Sequence, residues 1–190
     1  MLLSGESLLM DSNLLREDQQ NWWVDRMYLQ DVWSIASNHS TDIRTQVGAA
    51  LVVPNGGGIV ISGWNCIPDS IKVSKMNTNP DCKNFCTEHA ERAVIFKAIK
   101  NKVSTEGLHL YSTWASCAEC SRAIIQFGIT RVVTFRRLVE KTSNEWEKSI
   151  SAGIQMMVDS GIDVVGWVGD IKSDRNIRFG GQLFFPDWLK

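Results

Sequence analysis

The sequence predicts an α/β fold, a three-layer α/β/α sandwich around one mixed sheet of about five strands. Three observations point to it. Residues 47–53 and 59–62 are short apolar runs separated by Pro54, Asn55 and three glycines, the pattern of a hairpin. After that hairpin, strand-like and helix-like segments alternate, which puts helices on the faces of one sheet. The hydrophobic fraction of 44% is enough for a core in one domain of 190 residues.

Residues 1–21 are polar and aperiodic and read as an irregular lead-in to a domain spanning 22–170. From Trp22, the residues Val24, Met27, Tyr28, Val32, Ile35 and Ala36 share one helical face, and Asn38 and Ser40 end that helix. The run 47–53 suits a buried strand. Residues 66–87 are polar, contain Pro68 and Pro80, and lack a period; they read as a long insertion, and loops of that length are usually functional or mobile. A helix is predicted over 88–102, with Ala90, Ala93, Val94, Phe96 and Ile99 apolar. Residues 108–113 form a strand, 117–127 a helix stopped by Gly128, and 129–135 a strand that should run parallel to the first. Trp146, Ile150, Ile154, Met157 and Val158 mark a further helix, and Val164, Val165, Trp167 and Val168 a last strand. Residues 171–190 read as a tail with apolar anchors.

The net charge of −1 and pI near 6.3 argue against a nucleic-acid partner, since phosphate neutralisation calls for a basic excess. Five cysteines, an odd number with one CxxC pair, point to metal or thiol chemistry in a reducing compartment. The first residues lack a basic region and a long apolar stretch, so no secretory leader is expected. No apolar run approaches the roughly 18 residues of a membrane span. A cytoplasmic location is expected.

Two segments carry chemistry: Glu88-His89-Ala90-Glu91 and Ser116-Cys117-Ala118-Glu119-Cys120. One imidazole and two thiolates suit zinc, and three protein ligands leave a fourth position for water, as in catalytic sites. Zinc brings the pKa of that water towards neutrality. Glu91 is placed to move protons as acid and base. Both segments fall at predicted helix starts, where the dipole favours thiolates at Cys117 and Cys120. A CxxC alone fits a redox dithiol or a structural zinc equally well. Together, the segments match the H-x-E…P-C-x-x-C signature of zinc deaminases acting on nucleobases.

Further segments extend this match. STDIRTQVGA at 40–49 is similar to S-x-D-P-R-T-x-V-G-A, and GWNCIP at 63–68 to G-Y-N-G-x-P. EHAER at 88–92, YSTWASCAEC at 111–120 and AIIQFGI at 123–129 complete the set. Over roughly residues 22–168 the chain resembles the cytidine deaminase superfamily, and within it the deoxycytidylate (dCMP) deaminase branch. The resemblance implies a cytidine deaminase-like fold, zinc on His89, Cys117 and Cys120, and conversion of dCMP to dUMP with release of ammonia. It implies that Asn65 contacts the sugar and Ala90 lines the substrate site. It also implies a small nucleotide substrate and a homo-oligomer, commonly a hexamer in allosteric forms. Alternatives are a deaminase of a cytidine nucleoside, dCTP or a modified base, a tRNA or single-stranded DNA editor, and an inactive zinc module. Three positions depart from the branch: Ser116 stands for proline, Ala93 for asparagine and Cys66 for glycine. Ser116 and Glu119 have the spacing of a capping box.

Other residues carry two readings each. Trp114 either stacks on a base or packs in the core. Arg44 either binds a phosphate bidentately or braces the strand. Lys72 and Lys75 are either phosphate contacts or solvated. Cys66, Cys82 and Cys86 either hold a second, structural zinc, with His39 or a carboxylate, or are buried thiols. His39 and His109 read as ordinary polar positions.

Overall fold

Burial along the strands sorts their side chains into two cores. The computed structural model describes residues 15–69, 71 and 80–186, with the backbone alone for 80–82. Strands β1 (Gly48–Val52) and β2 (Ile59–Trp64) form the expected antiparallel hairpin. Strand β3 (His109–Ser112) pairs antiparallel with β1 on its other side. Strands β4 (Arg131–Phe135) and β5 (Asp163–Trp167) follow in parallel, giving a mixed sheet in the order β2-β1-β3-β4-β5.

Because side chains alternate along a strand, Ala49, Leu51, Leu110, Val132 and Val164 face one layer. There they meet α3 (Ala90–Lys100), α4 (Ala118–Gln126) and α6 (Asn144–Asp159), through Val94, Ile95, Ile124, Ile150 and Ile154. Ala50, Val52, Tyr111, Val133, Phe135, Val165 and Trp167 face the other way, onto Leu29, Val32, Trp33 and Ala36 of α1 (Trp22–His39). This is the three-layer arrangement. Gly48 sets the spacing between α1 and the sheet, since a Cβ there would fall on the carbonyl oxygen of Val32. Gly153 does the same for α6 and α4: a Cβ there would lie 2.7 Å from the carbonyl oxygen of Ser116, so α6 closes directly over the Cys117 turn.

The structure departs from the sequence reading in four places. The aperiodic insertion contains a seven-residue helix, α2 (Pro80–Cys86), two turns too short to show a period. Pro80 at its first position lacks an N–H that would have gone unpaired there. Between β4 and α6 lies the four-residue α5 (Arg136–Val139), also too short to leave a pattern. The stretch read as a tail contains a hairpin, β6 (Ile177–Phe179) with β7 (Gln182–Phe184), rooted in the α1-side core by Ile177 and Phe184. In the lead-in, residues 15–21 are docked. Arg16 N–H donates to the Val164 carbonyl and Gly166 N–H to the Arg16 carbonyl, adding a one-residue parallel rung beside β5. Lys72 and Lys75 lie outside the described residues.

The lead-in ends in an ionic network at the amino-terminal end of β4 and β5. Arg131 donates to both oxygens of Asp25, to Asp18 and to Asp163 at 2.7–3.0 Å, and to the Tyr111 hydroxyl at 3.1 Å. Arg16 binds Asp163 through two hydrogen bonds. Burial alone would raise Asp18, but hydrogen bonds from Asn21 and Arg16 and the Arg131 charge outweigh it and hold its carboxyl well below the usual range. Asp163 is likewise lowered, against burial, by Arg16 and Arg131.

Candidate active site

On the opposite side of the sheet's middle, the chain leaving β3 turns into α4, and α3 begins beside it. His89 is the extended residue before α3, and Cys117 the extended residue before α4. Two helix starts therefore converge, as the sequence reading expected. The His89 Nδ1 lies 3.5 Å from the Sγ atoms of both Cys117 and Cys120, and the two sulfurs are 3.6 Å apart. Tetrahedral zinc, with bonds of about 2.3 Å to sulfur and 2.0–2.1 Å to nitrogen, sets its donors about 3.5–3.8 Å apart. The donor set therefore fits zinc by both chemistry and spacing. Among the described residues it is the one group of three or more such ligands. The Cys82 side chain lies outside the described residues. His39, the suggested partner of a second zinc, instead stacks on Trp64 at 4.7 Å.

The segment before α3 is pinned to the hairpin. Cys66 and Glu88 exchange backbone hydrogen bonds of 3.1 and 2.8 Å, which fixes where His89 begins. The Glu88 carboxylate accepts from His89 N–H and from Arg92 Nε. Burial pushes the Cys66 thiol up, which fits a half-buried packing residue.

Glu91 is buried, with Oε2 3.8 Å from the Cys120 sulfur and Oε1 3.4 Å from the hydroxyls of both Ser112 and Ser116. Burial raises its pKa, with the Cys117 charge adding to the rise and His89 opposing it. The thiols behave as a coupled pair. A hydrogen bond from Cys120, together with His89, pulls Cys117 down to about 3, while the same bond and burial push Cys120 up. Burial disfavours a charged His89, yet the Cys117 sulfur and Glu91 outweigh it and raise its pKa. These shifts share one origin: an imidazole, two sulfurs and a carboxylate are buried close together, with the Arg92 charge acting on them from its pairs with Glu88 and Glu119.

The capping box is not formed. Cys117, not Ser116, precedes α4, and Glu119 pairs with Arg92 at 2.7 Å. Ser116 is turned inward, to Glu91. Ala93 stands beside Gly63 of β2 and does not line the cavity over His89, so its difference from asparagine does not alter that wall.

A cavity of about 60 Å³ opens over His89, Glu91 and Cys117. Ala90, Asn65 and Trp114 also line it. Cys120 lies behind, fully buried. The Asn65 amide is engaged by groups of the chain. It accepts from Ser40 Oγ and Val47 N–H and donates to the Thr45 carbonyl and Asp42, so the side chain clamps residues 40–47 onto the hairpin. Arg44 is not in this cavity. It lines an adjoining one of about 90 Å³, with Lys83, Lys141, Ser143 and Gly180. The two cavities share Thr45, Lys83, Asn84, Trp114 and Trp146.

Sequence reasoning missed Lys83 and Trp146. Lys83 Nζ is held by Asp42 at 2.6 Å with both side chains nearly buried. Trp146, read only as a helix marker, sets its ring 5.6 Å from His89 and 6.0 Å from Trp114. The Trp114 indole N–H donates to Thr142, so that ring is fixed as a wall.

Residues 24–136 match the family model for the cytidine and deoxycytidylate deaminase zinc-binding region. The chain is 29% identical over 142 residues to an uncharacterised deaminase from the luxG 3′ region of Aliivibrio fischeri, covering 75% of this chain and 91% of that one. It is 31% identical over 124 residues to the human deoxycytidylate deaminase, covering 62% of this chain and 66% of the relative. Among solved structures, it is similar to the dCMP deaminase of cyanophage S-TIM5 in complex with dCMP and dUMP, with a TM-score of 0.56 and 25% identity, covering 76% and 96% of the two chains. No helix among the described residues is long and apolar enough to cross a membrane.

Proposed function

The chain belongs to the zinc-binding cytidine and deoxycytidylate deaminase family, and from that premise we propose that it hydrolyses dCMP to dUMP with release of ammonia. The observation that carries the choice of a nucleotide is the pair of adjoining cavities. One ends on His89, Cys117 and Glu91; the other is lined by the cations Arg44, Lys83 and Lys141 against the single carboxylate of Glu145. A base in the first and a 5′-phosphate in the second span the shared wall at Trp114 and Trp146. Guanidinium and ammonium groups bind phosphate by charge-assisted hydrogen bonds. The S-TIM5 relative, solved with dCMP and dUMP, supports the same substrate class.

In this reading His89, Cys117 and Cys120 hold the zinc, which when bound supplies the Lewis acidity that makes water nucleophilic at neutral pH. Glu91 does the proton work. Its carboxylate takes a proton from the attacking water, delivers it to the ring nitrogen, and passes the second proton to the departing amine. Burial favours the protonated form of Glu91. The Ser112 and Ser116 hydroxyls orient Oε1 so that Oε2 faces the metal ligands. Asn65, in the cavity wall, fixes the loop that carries Asp42 and Arg44.

The test is a deamination screen of the zinc-loaded protein over cytosine, adenine and guanine compounds as base, nucleoside, mono- and triphosphate. dCMP is expected to give the highest kcat/KM, at least about tenfold above deoxycytidine, because each lost charge-assisted bond is worth about 1.5–3 kcal/mol. Faster turnover of deoxycytidine, or of a purine, overturns the assignment.

A further inference from the structure

We infer that the β6–β7 hairpin selects substrate: it fixes the loop bearing Arg44 at the second cavity, and so sets the preference for a phosphate-bearing nucleotide over its nucleoside. This rests on the dCMP reading above. The hairpin lies beyond residue 136, where the family match ends, and contributes none of the zinc donors.

Residues 44–46 belong to no helix or strand, so their position must be imposed by neighbours. Asp42 holds the N–H groups of Arg44 and Thr45 and Asn65 the Thr45 carbonyl, and the hairpin holds the remaining groups along its polar edge. Gln46 N–H donates to the Arg178 carbonyl and Arg178 N–H to the Gln46 side-chain oxygen, both at 2.8 Å. Gly181 N–H donates to the Arg44 carbonyl at 2.8 Å, and Gly180 N–H to the Thr45 hydroxyl at 3.3 Å. Every residue from 44 to 46 is therefore tied to the hairpin. The two turn residues have φ of +59° and +84°, the left-handed geometry of a tight two-residue hairpin turn, which glycine adopts without strain.

The hairpin is itself held from below. Phe184 packs against Trp33 and Phe135, and Ile177 is fully buried. Phe179 meets the edge of Trp114 at 5.1 Å, so the same strand also braces the wall common to both cavities. The consequence is energetic. A cation on a loose loop must be ordered when it grips phosphate, and that ordering weakens binding. With the backbone of residue 44 already fixed, less is lost. The effect falls on binding of the phosphate, hence on KM for the monophosphate, and not on proton transfer at Glu91.

The experiment compares dCMP with deoxycytidine on the zinc-loaded full chain and two variants, and measures dUMP affinity by calorimetry. Gly181→Val puts a β-branched residue at φ +84° and opens the turn. Gln46→Ala removes the side-chain tie to Arg178, together with the Gln46 bond to the Ser40 carbonyl, and keeps the turn, so it remains informative if the first variant folds poorly. In Gly181→Val the dCMP-to-deoxycytidine ratio of kcat/KM should fall about tenfold, mainly through KM for dCMP, with dUMP affinity falling by a similar factor. In Gln46→Ala the fall should be smaller, about two- to fivefold, because the ties of Arg44, Thr45 and the Gln46 N–H to the hairpin remain. A preference that survives in both folded variants, or equal losses of kcat for both substrates, overturns the inference alone. A wild-type chain with no preference for dCMP overturns the functional reading and the inference with it.

Discussion

Two clusters of buried ionisable side chains flank the parallel strands, and they are completed in opposite ways. At the amino-terminal end of β4 and β5, Arg131 meets Asp18, Asp25 and Asp163, and each of its nitrogens has a carboxylate partner. Beyond the carboxyl-terminal end of β3, His89, Cys117, Cys120 and Glu91 converge with donors 3.5–3.8 Å apart, while the nearby Arg92 spends its hydrogen bonds on Glu88 and Glu119. In the first cluster every guanidinium nitrogen of Arg131 is taken up by groups of the chain itself. In the second, three donors stand at the mutual spacing that a tetrahedral zinc requires, and the ion completes them. What separates a structural from a chemical cluster in this chain is therefore completeness, not polarity or burial.

Metal removal should widen the contrast most. Chelated protein is expected to lose all measurable deamination and to expose reactive thiols at Cys117 and Cys120, with both effects reversed by zinc. Activity that persists without metal would mean the second cluster is complete as it stands.

Arg131→Met attacks the first cluster. It leaves the fully buried Asp25 carboxylate with no cation, although Asp18 keeps Arg16 and Asn21, and breaking a buried pair in this way costs about 3–5 kcal/mol. Urea denaturation should show the loss, while kcat per folded molecule stays near wild type. A large fall in kcat would link the two ends of the sheet.

Acid should act on the same cluster. Asp18 and Asp163 are held below their unfolded pKa values, so their stabilisation is present above about pH 4 and is lost as pH falls below it. The urea midpoint should therefore drop between pH 5 and pH 3, roughly the start of that window, and Asp18→Asn should flatten the drop. The same slope in the variant would remove Asp18 from the account.

Ser116→Ala gives the smallest effect. The hydroxyl stands 3.4 Å from Glu91 and does not cap α4. Its loss should lower kcat by about two- to tenfold, the worth of one modest hydrogen bond, with little change in melting temperature. A clear loss of stability with unchanged kcat would restore the capping role.

The second cluster was legible in the sequence because its ligands sit in two short segments at helix starts, three residues apart or fewer. The strands and main helices were legible because their periods are long enough to read. The first cluster was not. Its members, Asp18, Asp25, Tyr111, Arg131 and Asp163, are spread along most of the chain, and nothing local marks any of them as buried. Helix α2 and the β6–β7 hairpin were too short to show a period, so Lys83, Phe179 and Gly180 entered the cavities unannounced. Ser116 shows a local signal overridden: the spacing of a capping box is present, but Arg92 takes Glu119 and Glu91 takes the serine.

The most direct test of the account is Glu91→Gln, with zinc content and dCMP turnover measured on the same preparation. The account predicts a folded protein that keeps about one zinc per chain, as the three-donor site requires. Its kcat should be lower by about 10²–10⁴-fold, the usual worth of a positioned acid–base group. Zinc retained with turnover near wild type would contradict it, because the proton work would then belong to another residue.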